Sequence, residues 1–208
     1  ITDYFIKQHN IKMMIVACNT ATSNTITELR KKYFFPIIGT IPAIKTATQN
    51  MKSRTIAVIS TPATSKSQAL KKLIKDNCQN INVLNIGCKG LVEIIERGEL
   101  NGTEVREMLS GYLKPIINSN TDCLVLGCTH YPFLKKVIKN IIGSQIKLLD
   151  SGKAIARRAQ SLLKINLTAN NQKKLGKTLY YTTSNSVKFS EVASMLLKTK
   201  IKAKQVKT

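Results

Sequence analysis

The chain has 208 residues, 43% hydrophobic and 5% aromatic with no Trp, and its 33 Lys and Arg against 11 Asp and Glu give a formal charge of +22. This size and aliphatic content suit a globular α/β protein with a substantial core and exclude a disordered or disulfide-stapled chain. No apolar run nears the roughly 18 residues that cross a bilayer, and the opening ITDYFIKQHN lacks the basic-then-apolar layout of a signal peptide, so the cytoplasm is the expected compartment and a membrane is not a partner.

In chain order, short apolar strands alternate with amphipathic helices. The opening reads as the middle of a helix and, without an initiating Met, predicts that further residues belong upstream. A strand is predicted over 11–17 and a helix over 22–35. Strand-like pieces punctuated by Pro36, Gly39 and Pro42 follow. Next come a strand at 55–60, a helix at 65–77, a strand at 82–87, helices at 90–97 and 103–118, a strand at 122–127, and helices at 132–142 and 152–164. A strand at 179–185, a helix at 187–197 and a frayed Lys-rich end at 198–208 complete the pattern. Such alternation is the signature of parallel sheets wrapped by helices. Punctuation near residue 40 and at Asp150-Ser151-Gly152 predicts two units, residues 1–40 with 152–208, and residues 41–151.

The cysteines are Cys18, Cys78, Cys88, Cys123 and Cys128, an odd number without CxxC spacing, which favours free thiols over disulfides or a zinc ribbon. A zinc site built on Cys18, Cys128 and His130 would be short of ligands, so no metal is expected. Cys123, five positions before Cys128, points to the opposite face of a shared strand and reads as core, as do Cys78 and Cys88. Cys18 and Cys128 each fall where a strand ends and a helix begins, the place where open parallel sheets bind ligands. Thr20, Thr22 or Ser23 is expected to cap the first helix, and Thr129 the second, with Pro132 in its first turn. Helix N-termini there would bind a carboxylate and favour thiolate over thiol, with Asn19, Thr20 and Thr129 adding donors. The spacing alone equally allows two inert, packed cysteines.

The positive charge is mostly Lys scattered along helical faces, as in LKKLIKDN and LKKVIKN, without an Arg cluster or interleaved aromatics. Nucleic acid is therefore expected to bind only non-specifically, in a salt-sensitive way.

VACNTAT and LGCTHYP together resemble the paired cysteine motifs of bacterial glutamate racemases, in the aspartate/glutamate racemase superfamily. The resemblance continues through IERGEL, LLDSG and YYTTSNSVKF, over nearly the whole chain. His130 after Cys-Thr is similar to glutamate racemases, whereas related aspartate racemases usually have Glu there. The resemblance implies an α/β fold of two similar open parallel-sheet domains, helices on both faces, with the active site in the cleft between them. It implies a cofactor-independent 1,1-proton transfer interconverting L- and D-glutamate, which supplies D-glutamate for peptidoglycan. Cys18 and Cys128 would form the acid/base pair, with Asn19, Thr20, Thr129 and His130 around the substrate and His130 also assisting the neighbouring thiol. Thr61 and Thr64, in VISTPATSKS, would contact substrate, although Ser60 stands where a Gly is usual. Glu93 would tune His130, and the family leaves room for a homodimer.

The departure is at the start. The family's opening strand ending in Asp-Ser-Gly, and a later Tyr-Gly loop, are not found ahead of these motifs, and the Asp-Ser-Gly at 150–152 follows the second cysteine instead. The expectation is a truncated racemase product or a fragment. Two other readings stay open: a catalytically silent racemase fragment, and a basic binding protein with a nucleic-acid-related partner.

Overall fold

The computed structural model describes residues 1–166, 169 and 176–207. Its elements in order are α1 (Thr2–Gln8), β1 (Met14–Val16), α2 (Asn19–Lys32), β2 (Ile37–Gly39), α3 (Ile44–Thr48), β3 (Thr55–Ser60), α4 (Pro62–Lys66), α5 (Gln68–Asn77), β4 (Asn82–Gly87), α6 (Leu91–Glu96), α7 (Thr103–Ile117) and β5 (Cys123–Leu126). A 3-10 turn at Tyr131–Leu134 leads into α8 (Lys135–Ile142), then β6 (Lys147–Leu149), α9 (Gly152–Ile165), β7 (Tyr180–Thr182), α10 (Ser186–Leu197) and β8 (Ala203–Gln205).

The apolar runs TIAVIS and CLVL have no polar face, and strands of that kind must be covered on both sides. They become β3 and β5, the two inner strands of a parallel sheet ordered β4-β3-β5-β6, with Ile56 opposite Cys123 and Ile59 opposite Leu126. Alternation sends Ala57, Ile59, Leu124 and Leu126 into a core roofed by α6, α7 and α8. Ile56, Val58, Cys123 and Val125 face the other way, against Ile44, Ala47 and Leu70 of α3 and α5. Helices thus cover both faces. After β3 the chain steps outward to β4 and then returns past β3 to lay down β5, so the order reverses between β3 and β5. That reversal opens a crevice at the carboxyl ends of these two strands.

Two smaller parallel pairs complete the fold, β1 with β2 and β7 with β8. α2 crosses from β1 to β2 and is held to it by the Arg30 guanidinium, which donates to the Ile37 carbonyl at 3.0 and 3.2 Å. Gly39 is required by this close approach, because a Cβ there would lie 2.5 Å from Thr22 Cγ2. Tyr4, Phe5 and His9 of the first turns stack edge-on or tilted around Tyr181 of β7.

The expected alternation holds, with local differences. The helix expected at 65–77 is two helices, because Ser67 takes an extended conformation and its hydroxyl caps α5 by accepting from the Leu70 N–H at 3.2 Å. The helix expected from 132 begins instead as a 3-10 turn. The frayed end expected at 198–208 is wrong for its middle: β8 pairs with β7, and Ile201 and Ala203 are buried. Two serines of α10 explain this, since Ser194 Oγ accepts from the Ile201 N–H at 2.9 Å and Ser190 Oγ from the Ala203 N–H at 3.0 Å. They dock a segment whose Lys-rich composition reads as solvated.

Because Leu124 is fully buried in the larger core, Leu124→Ala is expected to destabilise the chain by about 2–5 kcal/mol in urea unfolding, the usual range for a buried Leu truncation. Lys136→Ala on the exposed side of α8 should cost less than about 0.5 kcal/mol in the same assay.

Candidate active site

The crevice between β3 and β5 receives three loop segments. β3 ends into Thr61, whose hydroxyl caps α4 by accepting from the Thr64 N–H at 3.2 Å. β5 ends into Gly127 and Cys128. Gly127 lies so close to β3 that a Cβ would sit 3.0 Å from the Ile59 carbonyl oxygen. β1, in the neighbouring sheet, ends into Ala17 and Cys18.

These segments touch. The Thr129 hydroxyl donates to the Ala17 carbonyl at 3.2 Å, tying the loop of the second cysteine to that of the first. Thr20, in the first turn of α2, shares hydrogen bonds with Thr61 at 3.1 Å and Thr64 at 2.9 Å, and Thr61 reaches Thr64 at 3.1 Å. The result is a triangle of hydroxyls, each able to turn toward a ligand oxygen. The structure therefore brings Cys18, Thr20, Thr61, Thr64, Cys128, Thr129 and His130 into one neighbourhood.

The two thiols differ. Cys18 is exposed and is itself the N-cap of α2, its sulfur accepting from the Ala21 N–H at 3.5 Å. Cys128 is buried, and burial pushes its thiol above the ordinary value. The His130 and Tyr131 backbone N–H groups pull the other way without prevailing, and a charge on Cys18 would push it further up. His130 Nδ1 lies 4.0 Å from Cys128 Sγ, and its Nε2 meets a carboxylate oxygen of Glu96 at 3.1 Å. With its Nε2 proton donated to Glu96, the ring presents Nδ1 to the thiol.

Asn19 is buried at the start of α2 with both side-chain amide atoms unpartnered by the described protein, and the Thr40 hydroxyl is in the same state. Both line a cavity of about 280 Å³ together with Cys128, Thr129 and Asp150. Burial pushes the Asp150 carboxyl up, but the Lys135 ammonium and the Gly152 N–H outweigh it and hold that group below its usual range. Among the described residues, no three of His, Cys, Asp and Glu converge in a way that could hold a metal ion.

Residues 3–159 match the family described as Asp/Glu/Hydantoin racemase. A glutamate racemase of Herpetosiphon aurantiacus is 34% identical over 193 residues, covering 93% of this chain and 76% of that protein. One of Aliarcobacter butzleri is 42% identical over 165 residues, covering 78% of this chain and 63% of that protein. This chain belongs to the Asp/Glu/Hydantoin racemase family. Within the family its solved likenesses include the glutamate racemase isoform RacE1 of Bacillus anthracis, with a TM-score of 0.88 and 28% identity over 99% of this chain and 77% of that one. The Francisella tularensis glutamate racemase in complex with D-glutamate has a TM-score of 0.83 and 30% identity, again over 99% and 77%. The racemase fold of two parallel-sheet α/β units, helices on both faces, is thus the fold of this chain.

Three details of this candidate site differ from the sequence reading. The carboxylate on His130 is Glu96, not Glu93, which lies one turn earlier on the same side of α6. Thr129 does not cap the second helix, because its hydroxyl is spent on Ala17, and the first helix is capped by Cys18 itself. The thiol at Cys128 is favoured over the thiolate, because its burial outweighs the N–H groups aimed at it. Glu96 sits one turn from Glu93 in the same acidic segment, but Thr40 has no signal: a lone Thr after a strand reads as a loop residue.

Burial also raises Cys78 and Cys123, and lifts Cys88, beside Cys128, from 9.0 to about 12. Between about pH 9 and 12 the folded chain keeps thiol protons that the unfolded chain releases, so this contribution to stability is complete below pH 9 and is lost as pH rises through the raised values. The thermal midpoint should fall across that window, and Cys88→Ala should make the decline shallower.

Proposed function

We propose that this racemase interconverts L- and D-glutamate by direct proton transfer between Cys18 and Cys128. Racemisation at the α-carbon needs one group to take a proton from one face and another to return a proton to the opposite face. The observation that carries this reading is the Thr129 to Ala17 hydrogen bond, which draws two strand ends, each bearing a thiol, to one point, although 110 positions of sequence separate Cys18 from Cys128.

In one direction Cys18, as thiolate, takes the α-proton; its exposed sulfur is solvated and accepts the Ala21 N–H. Cys128, whose burial retains the thiol, gives a proton to the other face. The reverse reaction exchanges these roles. Cys128 must then lose its proton, which the His130 and Tyr131 N–H groups and the His130 ring assist. Asn19, Thr20, Thr61 and Thr64 offer donors for the substrate carboxylates, while Thr129 keeps the two cysteine loops together, and the charge that develops on the α-carboxylate in the transition state is stabilised by such preorganised donors. All the proton chemistry resides in the chain's own side chains. Residues 1–40 with 152–208 would form one unit and 41–151 the other, with glutamate held between them. Relatives bearing the name glutamate racemase, and the D-glutamate bound to the Francisella protein, support glutamate as substrate. In the cell, D-glutamate would go to peptidoglycan, and the enzyme would work in the cytoplasm.

Cys18→Ser and Cys128→Ser are each expected to lower racemisation by at least about 100- to 10,000-fold, the worth of a positioned acid or base, followed as loss of optical rotation of L-glutamate. Near wild-type turnover in both directions by either variant would remove that thiol from the reaction. Because one sulfur must be thiolate while the other is thiol, the rate should rise and then fall with pH. A rate that shows no fall on the alkaline side, even above the raised titration of Cys128, in an enzyme still folded would contradict a two-thiol scheme.

A further inference from the structure

The cavity beside Cys128 holds a side chain that the glutamate reading leaves unused. Thr40 follows β2, and its backbone N–H is doubly engaged, donating to the Val16 carbonyl at 3.2 Å and to Thr22 Oγ1 at 3.0 Å. Thr22 in turn donates its own proton to the Val16 carbonyl at 3.2 Å. The position of Thr40 is thereby fixed between β1 and α2. Its hydroxyl nevertheless has no protein partner, although the residue is only 1% exposed.

Buried hydroxyls are almost always hydrogen-bonded, and one left unmade is costly. Val has the same shape as Thr without the hydroxyl and would fill this apolar corner, beside Ile15 and Ile155, at no such cost. Among the described residues, the buried side-chain nitrogen and oxygen atoms without a hydrogen-bond partner number three: the Thr40 hydroxyl and the two amide atoms of Asn19. All of them belong to residues lining the same cavity, which Cys128 also lines. Ser151, also in the lining, is only partly buried, and two further polar groups of the cavity are engaged. Thr129 is bonded to Ala17, and the Asp150 carboxylate holds Lys135 and the Gly152 N–H.

Three unmatched atoms of this kind make a recognisable set. The Asn19 amide nitrogen and the Thr40 hydroxyl are two donors that suit the two oxygens of a carboxylate, while the Asn19 amide oxygen is an acceptor that suits an ammonium. An α-amino acid carries both groups. We infer that Thr40 is a further substrate-binding residue, pairing with Asn19 to hold a carboxylate of the bound amino acid beside the Cys128 thiol. The inference rests on the glutamate reading for the identity of the ligand. A cavity of about 280 Å³ is several times the roughly 30 Å³ share of one water, which leaves room for such a group.

The test compares Thr40→Val, Thr40→Ala and Thr40→Ser in the whole chain, measuring KM and kcat for L- and D-glutamate and the shift in thermal midpoint that each enantiomer produces. Loss of a hydrogen bond to a charged group should weaken glutamate by about 10- to 100-fold, so Thr40→Val should raise KM more than it lowers kcat and should shrink the glutamate-induced shift. The ligand-free midpoint of Thr40→Val should be unchanged or higher, since an unmatched hydroxyl has been removed. Thr40→Ser should keep most of the affinity. Thr40→Val with wild-type KM and a wild-type glutamate shift overturns the inference, as does equal glutamate response from the Ser and Ala variants if the Val variant is unstable. A wild-type chain stabilised by glutamate through Thr40 but unable to racemise it would sink the catalytic reading and leave this one standing. A wild-type chain that neither binds nor turns over glutamate overturns both.

Discussion

The site depends on one constraint, the reversal of strand order between β3 and β5. Two inner strands that share a hydrogen-bonded edge but send their following loops to opposite sides leave a gap that neither loop can close. Here that gap is walled by Thr61 and Thr64 on one side and by Gly127, Cys128 and His130 on the other. The wall is stiff because the strands that deliver it are buried on both faces, and a Gly at 127 allows the β5 end to lie against β3 without a clash. The neighbouring sheet completes the arrangement by presenting Cys18 and Asn19 from the end of β1. Two hydroxyl contacts, Thr20 with the Thr61–Thr64 pair and Thr129 with Ala17, hold the two parts in register.

Inside that frame, the same structural rule is applied twice with opposite solvation. Each thiol ends a strand and meets a backbone N–H, but one is exposed and the other is buried at the edge of the larger core, where it lines the cavity. Burial holds the proton of Cys128 more firmly than that of a free thiol, so the two sulfurs are chemically unequal although they are the same residue type. The Glu96 carboxylate meets His130 on the side of the buried thiol and fixes the direction of the ring.

Much of this was legible in the sequence. Strand ends at Cys18 and Cys128 followed from apolar runs that stop at a thiol, and both faces of the central sheet could be inferred from TIAVIS and CLVL, which leave no polar side to expose. Less was legible wherever a side chain rather than a pattern decides the outcome. Ser190 and Ser194 dock the Lys-rich β8, and Ser67 splits a helix; neither effect has a periodic signal. Glu93 follows from the family resemblance alone, whereas the partner of His130 is Glu96 one turn on, and only the packing of α6 against the 3-10 turn chooses between the two carboxylates. Thr40 was invisible for the same reason: its significance lies in a missing hydrogen bond, which no sequence displays.

The unequal solvation of the sulfurs has a consequence for how the molecule meets electrophiles. Five cysteines are present, yet only Cys18 presents its sulfur to solvent, the other four being enclosed. To an alkylating reagent too large to enter the core, the folded chain is a one-thiol protein, labelled at the end of β1 and nowhere else until it opens. The stoichiometry of labelling is therefore a gauge of folding: a single adduct reports the native state, and the appearance of a second reports that one of the four enclosed thiols has come within reach of solvent.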